Sequence, residues 1–132
     1  MIKIKNSQLN TETINSINKL IEMDINASIA FRLVRVIREL STIIEDKIKM
    51  ERKILDKWIE KGENGEIIRP TGDNGEVIKN SVKITNNSAF NEEMNLLMQV
   101  ENEIDFNQVS FDELGLKTVK IKDIMKIDFL FI

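Results

Sequence analysis

Residues 26–60 read as a single helix, and its length constrains the fold more than any other feature of the chain. Projected at about 100° per residue, Ile29, Leu33, Val36, Ile37, Leu40, Ile43, Ile44, Ile48, Ile54, Leu55 and Trp58 fall in one apolar stripe. At 1.5 Å rise per residue such a helix spans roughly 50 Å, more than the diameter of a compact domain of this size. A shorter helix precedes it and runs to about Met23, with Asn6, Ser7 and Asn10 all suitable as N-caps. Leu9, Ile14, Ile17, Leu20 and Ile21 form its apolar face. Asp24 or Asn26 caps the long helix, and so short a connection makes the two helices antiparallel neighbours.

The first helix is about half as long as the second, so it cannot reach Ile48, Ile54, Leu55 and Trp58 together. Either the C-terminal third folds back over them or a second chain does. The uncovered stripe predicts a homo-oligomer, most simply a two-fold dimer. Lys47 and Glu51 project into the stripe, where they form an i, i+4 pair, form cross-helix pairs that fix register, or snorkel from the edge.

Around this hairpin the remaining elements are short. Ile2-Lys3-Ile4 alternates like a first strand. Gly62-Glu63-Asn64-Gly65-Glu66-Ile67-Ile68 is echoed by Gly72-Asp73-Asn74-Gly75-Glu76-Val77-Ile78. Each Asn-Gly predicts a type I′ hairpin turn within a small ribbon that extends to Ser81-Val82-Lys83-Ile84. A calcium loop on Asp73 and Asn74 lacks the required ligand spacing and the distal Glu. Asn86, Asn87 or Ser88 then caps a helix carrying Phe90, Met94 and Leu97 and ending near Val100. Ile104-Asp105-Phe106 alternates as a strand, and Ser110-Phe111-Asp112-Glu113 is a capping box for a short helix closed by Gly115. Residues 118–132 are read as a helix with Ile121, Ile124 and Met125 on its apolar side, and the terminal Phe129-Leu130-Phe131-Ile132 is expected to be covered. The whole is an α+β single domain over residues 1–132: a helical hairpin with one very long helix (1–61), a small antiparallel β-ribbon (62–85), and C-terminal short helices with a short strand (86–132).

Composition narrows the chemistry. The chain has no Cys, His or Tyr. Thiol nucleophiles, thiolate zinc sites, disulfides within the chain and histidine-dependent catalysis are therefore excluded. Catalysis would have to rest on carboxylates, lysines or an oxygen-ligated metal, and the chain is read as not an enzyme, with no cofactor. Glu92, Glu93, Glu101, Glu103 and Asp105 form no convergent pair for magnesium and read as a solvated acidic face, so no metal site is expected. The net charge of −3 argues against a general nucleic-acid coat and leaves any anion binding to a local patch. No sequence-specific nucleic-acid contact is expected. No run approaches the roughly 18 apolar residues of a membrane span, and no secretory pattern opens the chain, so a cytoplasmic protein in a host cell is expected. Against 22 Ile, 14 Lys and 14 Asn, only five residues are Arg.

Three of those arginines cluster. Phe31 lies beside Arg35 (i, i+4) and Arg38 (i, i+7), with Val34 at their edge and Arg32 at the margin of the core stripe. No acid occurs between Asp24 and Glu39. Guanidinium forks bind phosphates bidentately and an aromatic ring can stack on a base, so this face suits a nucleotide-sized anion. The competing structural reading buries Phe31 and Val34 under the C-terminal segment and pairs the arginines with its acids. Arg69, in the Arg69-Pro70-Thr71 corner with Lys79 beyond it, is either a ligand clamp or an exposed turn charge. Phe90 and Asn91, near the start of their helix, offer a ring and an amide close to free backbone N–H groups, or alternatively begin the apolar series.

The strand-like Met-Ile-Lys-Ile-Lys-Asn start, the long helix ending Lys57-Trp58-Ile59-Glu60-Lys61-Gly62-Glu63, the Asn-Gly ribbon, Phe90-Asn91-Glu92-Glu93 and Val100-Glu101-Asn102-Glu103-Ile104 together resemble small phage and prophage proteins of low-GC Gram-positive hosts. More distantly, the layout is similar to phage anti-Thoeris proteins, with Arg32, Arg35 and Arg38 in their style and the acidic segment from Glu92 to Asp105 departing from it. This resemblance implies a non-catalytic counter-defence protein that sequesters a small anionic cyclic nucleotide signal between subunits. The readings set against it are a virion-assembly or tail-associated interaction protein and a protein inhibitor of a host defence enzyme.

Overall fold

A computed structural model gives the structure, which describes residues 1–73, 75, 77 and 81–132. The chain runs β1 (Ile2–Lys5), α1 (Thr11–Glu22), α2 (Ala27–Trp58), α3 (Asn87–Gln99), β2 (Glu101–Ile104) and α4 (Ile121–Ile124), with 3-10 turns at Asn6–Gln8, Asp112–Leu114 and Met125–Leu130. It is an α+β fold with one long helix, a two-stranded antiparallel sheet and short C-terminal helices. Two compact units divide it, one of residues 1–47 and 98–132, the other of residues 48–97.

In the first unit, α1 starts at Asn10 rather than at Asn6 or Ser7. The Asn10 side-chain oxygen accepts from the Thr13 N–H at 3.1 Å, and the Thr13 hydroxyl accepts from the Asn10 N–H at 3.2 Å. Asn6 is buried instead, its carboxamide oxygen accepting from the Asn102 side chain at 2.8 Å. At the other end of the hairpin, the Asn26 side chain accepts from the Ser28 N–H at 3.0 Å and caps α2. Ile17 and Leu20 of α1 join Ile29, Leu33, Val36, Leu40 and Ile44 of α2 in one core. The Lys47 ammonium donates to the Leu9 carbonyl at 2.6 Å, so the approach to α1 lies level with position 47 of α2. Only residues 23–26 separate the two helices at the other end, which makes the pair antiparallel as expected.

β1 pairs antiparallel with β2, Ile2 opposite Ile104 and Lys5 opposite Glu101. The second strand therefore ends where the sequence reading started it. Ile104 and Phe106 are both buried, but the ladder uses the polar run before them, because only its register places Ile2, Ile4 and Ile104 on the core side. Half of the capping box forms, with Glu113 accepting from the Ser110 N–H at 2.7 Å while the Glu113 N–H donates to the Ser110 carbonyl rather than to its hydroxyl, and Gly115 closes the turn at φ 77°.

Residues 118–132 correct the expected helix. One α-turn and a 3-10 segment replace it, and of the side chains chosen for its apolar face Ile124 packs against the core while Ile121 and Met125 are exposed. Asp123 is buried in their place, accepting from the Lys19 ammonium at 2.6 Å, while Lys126 pairs with Glu12. Leu130 and Phe131 enter the core, and Ile132 does not.

In the second unit, Ile54 and Ile59 are buried within the single chain, at 8% and 7% exposure. Of the two alternatives for Ile54, cover by its own chain holds. The backbone at 58–60 is laced to later segments: the Glu60 N–H donates to the Lys83 carbonyl, the Lys83 N–H to Ile68, and the Ile68 N–H to Glu60. Lys57 pairs with Glu93 of α3 at 2.5 Å. Leu55 and Trp58 are half-buried, and of the four residues singled out as uncovered only Ile48 is exposed.

Among the described residues the ribbon consists of isolated bridges, Lys61 with Ile67 and Thr71 with Val77, rather than full strands. Its first turn is not type I′. No residue other than glycine has positive φ among the described residues, whereas type I′ requires it at both central positions. The Gly65 N–H donates to the Gly62 carbonyl and Gly65 alone has φ 80°, a turn followed by a left-handed glycine. Asn74, Glu76, Ile78 and Lys79 of the second repeat lie outside the described residues.

Leu40 is fully buried, so Leu40→Ala should cost about 2–5 kcal/mol in chemical denaturation. The Asp123 carboxyl is held below the usual aspartate range, first by the hydrogen bond from Lys19, against the opposing effect of burial. Its contribution is therefore complete above the ordinary carboxylate value of about 4 and is lost as pH falls through the lowered one. Asp123→Asn should melt below the wild type at neutral pH, and the gap should close only in acid; a gap that is constant down to the acid limit would refute the pairing.

Candidate functional site

The candidate face lies on the first half of α2, within the first unit. Burial of Ile29, Leu33 and Val36 turns the opposite side of the helix outward. Phe31 is 66% exposed there, with Val34 at the border of exposure and Arg35 and Arg38 exposed. Neither guanidinium makes a hydrogen bond or ion pair among the described residues. The alternative in which the C-terminal segment covers Phe31 and pairs these arginines does not hold.

Arg32 behaves differently. It is half-buried, donates to the Asn107 carbonyl at 2.7 Å, and stands 4.8 Å from the centroid of the Phe106 ring. A guanidinium shared between a carbonyl and a ring face holds its backbone partner in place. Phe106 and Asn107 also form part of an open cleft of about 470 Å³ whose other walls are Met1, Ile2, Lys3 and Gln108. Arg32 thus fixes one wall of that cleft. Sequence reasoning placed Arg32 with the ligand-binding residues and missed its partners, since Phe106 read only as part of an alternating strand.

The remaining candidates belong to the second unit. Arg69 donates to the Ser81 carbonyl at 3.0 Å and so ties two arms of the ribbon together. Phe90 is half-buried and Asn91 exposed. The helix is capped earlier, by Asn86, whose side chain accepts from the Ala89 N–H at 3.1 Å and whose carbonyl accepts from the Phe90 N–H. The N–H of Phe90 itself is therefore engaged within the helix. Nearby, the Lys57 ammonium holds the Glu93 carboxyl below its ordinary value. Among the described residues no group of three acidic, His or Cys side chains could hold a metal ion, and no helix is long and apolar enough to cross a membrane.

The structure thus brings Phe31, Arg35 and Arg38 together on one open helix face, commits Arg32 and Arg69 to backbone carbonyls, and leaves Phe90 half-buried. No protein-family model matches the chain, nor does any curated protein or solved structure.

The two kinds of arginine separate experimentally. Arg32→Ala should lower the melting temperature, because the Asn107 carbonyl and the Phe106 ring lose their partner. Arg35→Ala and Arg38→Ala should stay within about 0.5 kcal/mol of wild type, as for surface changes away from any contact. Equal losses in all three would show that the outer arginines have structural partners.

Proposed function

We propose that this chain is a non-catalytic binding protein and that its contact surface for an anionic partner is the Phe31–Arg35–Arg38 face of α2. One observation carries the reading: a phenylalanine two-thirds exposed beside two arginines that no acid of the described chain neutralises. A single exposed apolar residue is ordinary on a protein surface. A ring flanked by two unpaired guanidinium groups offers stacking and bidentate phosphate binding in one place.

In its narrower form the partner is a small anionic cyclic nucleotide, sequestered as an immune signal by a phage counter-defence protein in the host cytoplasm. Small-ligand sites enclose most of their ligand, whereas one helix face covers only one side of it. Sequestration therefore requires a second copy of the chain to close the face, which makes the homo-oligomer part of this reading. The open, convex face equally favours a second reading, an interaction protein of virion assembly that docks an acidic surface directly.

Calorimetric titration with cyclic nucleotides, combined with light scattering, tests the first reading. Each of Arg35→Ala and Arg38→Ala should weaken binding by about 1.5–3 kcal/mol, the range for hydrogen bonds to charged groups. Arg35→Lys should also weaken it, because a point charge does not reproduce the fork. Phe31→Ala should cost about 1–3 kcal/mol on the stacking scale, with the melting temperature unchanged. Ligand released by heat should be intact; a hydrolysed product in excess over protein would identify an enzyme. Unchanged affinity in all three deletions, or nucleotide binding by a monomer, would end the sequestration reading.

A further inference from the structure

The first turn of the ribbon, in the second unit, carries a reactive pair. Asparagine is among the thermolabile residues, and before a glycine its side chain is open to attack by the next backbone nitrogen. Asn64 stands before Gly65, and both are exposed. A side-chain carbon built on Gly65 would meet nothing within 4 Å, so the approach is unobstructed. The Asn64 carboxamide makes no hydrogen bond among the described residues, and nothing there holds it away from the Gly65 nitrogen. The exposed Asn91, Asn95 and Asn107 precede Glu92, Leu96 and Gln108, whose side chains crowd the same approach.

Two contacts hold the attacking nitrogen back. The Gly65 N–H donates to the Gly62 carbonyl at 2.9 Å, with Gly65 at φ 80°, a conformation glycine adopts without strain. The Glu66 carboxylate folds back over the turn and accepts from the Asn64 N–H at 3.2 Å. It lies so close to Gly62 that a β-carbon there would stand 2.2 Å from its Oε1. These contacts are local and wet. No residue from 60 to 73 is buried, so the turn opens at far lower cost than the chain unfolds.

We propose that Asn64 is a site of spontaneous covalent modification, converted to isoaspartate when the Gly62–Glu66 turn opens. In the open turn the Gly65 nitrogen gives its proton to solvent base and bonds to Asn64 Cγ. The Cγ–Nδ2 bond breaks, and Nδ2 leaves as ammonia with a proton returned from solvent, closing a succinimide ring. Water then adds to one of the two ring carbonyl carbons. Addition at Cγ breaks the new N–Cγ bond and yields aspartate. Addition at the backbone carbonyl breaks the original peptide bond and leaves the chain running through Cβ and Cγ. The reaction needs only water, which it consumes as it releases ammonia. The isoaspartate form has an extra backbone atom in the turn and a new carboxylate between Glu63 and Glu66. The extra atom shifts the Gly65 N–H away from the Gly62 carbonyl, and like charge repels Glu66, so the modified turn recloses less readily.

Neither this reaction nor its test involves the α2 face. The full chain is incubated at physiological temperature in neutral and in mildly alkaline buffer. Peptide mapping by mass spectrometry resolves position 64 from the Asn74-Gly75 pair. Methylation by an isoaspartate-specific methyltransferase distinguishes isoaspartate from aspartate. Isoaspartate should accumulate at position 64 ahead of positions 91, 95 and 107, and faster in the alkaline buffer, where the attacking nitrogen loses its proton more readily. Gly62→Ala, whose β-carbon displaces the Glu66 carboxylate, should speed the conversion several-fold toward the rate in denaturant. Glu66→Ala, which removes that carboxylate outright, should do the same. Three results overturn the proposal. No conversion at position 64 while the denatured chain converts would show that the turn stays closed. Aspartate without isoaspartate would show that the ring is bypassed. A native rate unchanged in both turn variants would show that opening is not the gate.

Discussion

A helix of 32 residues carries an apolar stripe that a partner of 12 residues cannot cover, and the rest of this fold answers that mismatch. The first unit's share of α2 ends at residue 47, the position whose lysine reaches the Leu9 carbonyl ahead of α1. Beyond it the stripe needs another source of apolar surface. The chain supplies one from the segment that follows α2, through the bridge of Ile59 with Ile84 and the backbone bonds that join 58–60 to 68 and 83–85. A long amphipathic helix thus acts as the shared element of two units, each with its own buried residues. Burial of Ile54 in the single chain takes one residue out of the argument for an oligomer, while Leu55 and Trp58 stay half-buried and Ile48 exposed.

How much of this was legible in the sequence depended on whether the signal was periodic or pairwise. The α2 stripe was readable because its apolar residues repeat over many turns, and its buried members Ile29, Leu33, Val36, Leu40 and Ile44 were all named from the pattern. The α1 cap was ambiguous among three residues, and the reciprocal bond of Asn10 with Thr13 decided it. β2 was misplaced because a two-stranded ribbon with one open face has little apolar alternation to read, so its register comes from β1. The Asn-Gly turn was located correctly but given the wrong type, since Asn64 keeps negative φ and Gly65 takes the left-handed position alone.

The candidate site divides along the same line. That Phe31, Arg35 and Arg38 share a face follows from helical spacing, and the structure keeps them on one open surface. The fates of Arg32 and Arg69 did not follow, because each is decided by a carbonyl distant in sequence, Asn107 for one and Ser81 for the other. Arginine is suited to both duties: a planar fork binds a phosphate or clamps a loop with the same geometry. Identity and spacing alone therefore do not distinguish a ligand arginine from a structural one. The distinguishing observation is whether the chain itself supplies the acceptor.

The C-terminal segment shows how one buried charge can set the character of a surface. On apolar periodicity alone, Ile121 and Met125 would face the core. Instead Lys19 of α1 takes the Asp123 carboxylate, and the ion pair, with burial opposed by a 2.6 Å charge-assisted hydrogen bond, fixes the rotation of a one-turn helix. A helix of four residues has too little apolar area of its own to overrule that contact. Turning Asp123 inward turns Ile121 and Lys122 outward, and Leu130 and Phe131 then fill the core in place of Ile121 and Met125. The exposed isoleucine and its lysine neighbours are thus a consequence of where Asp123 is held.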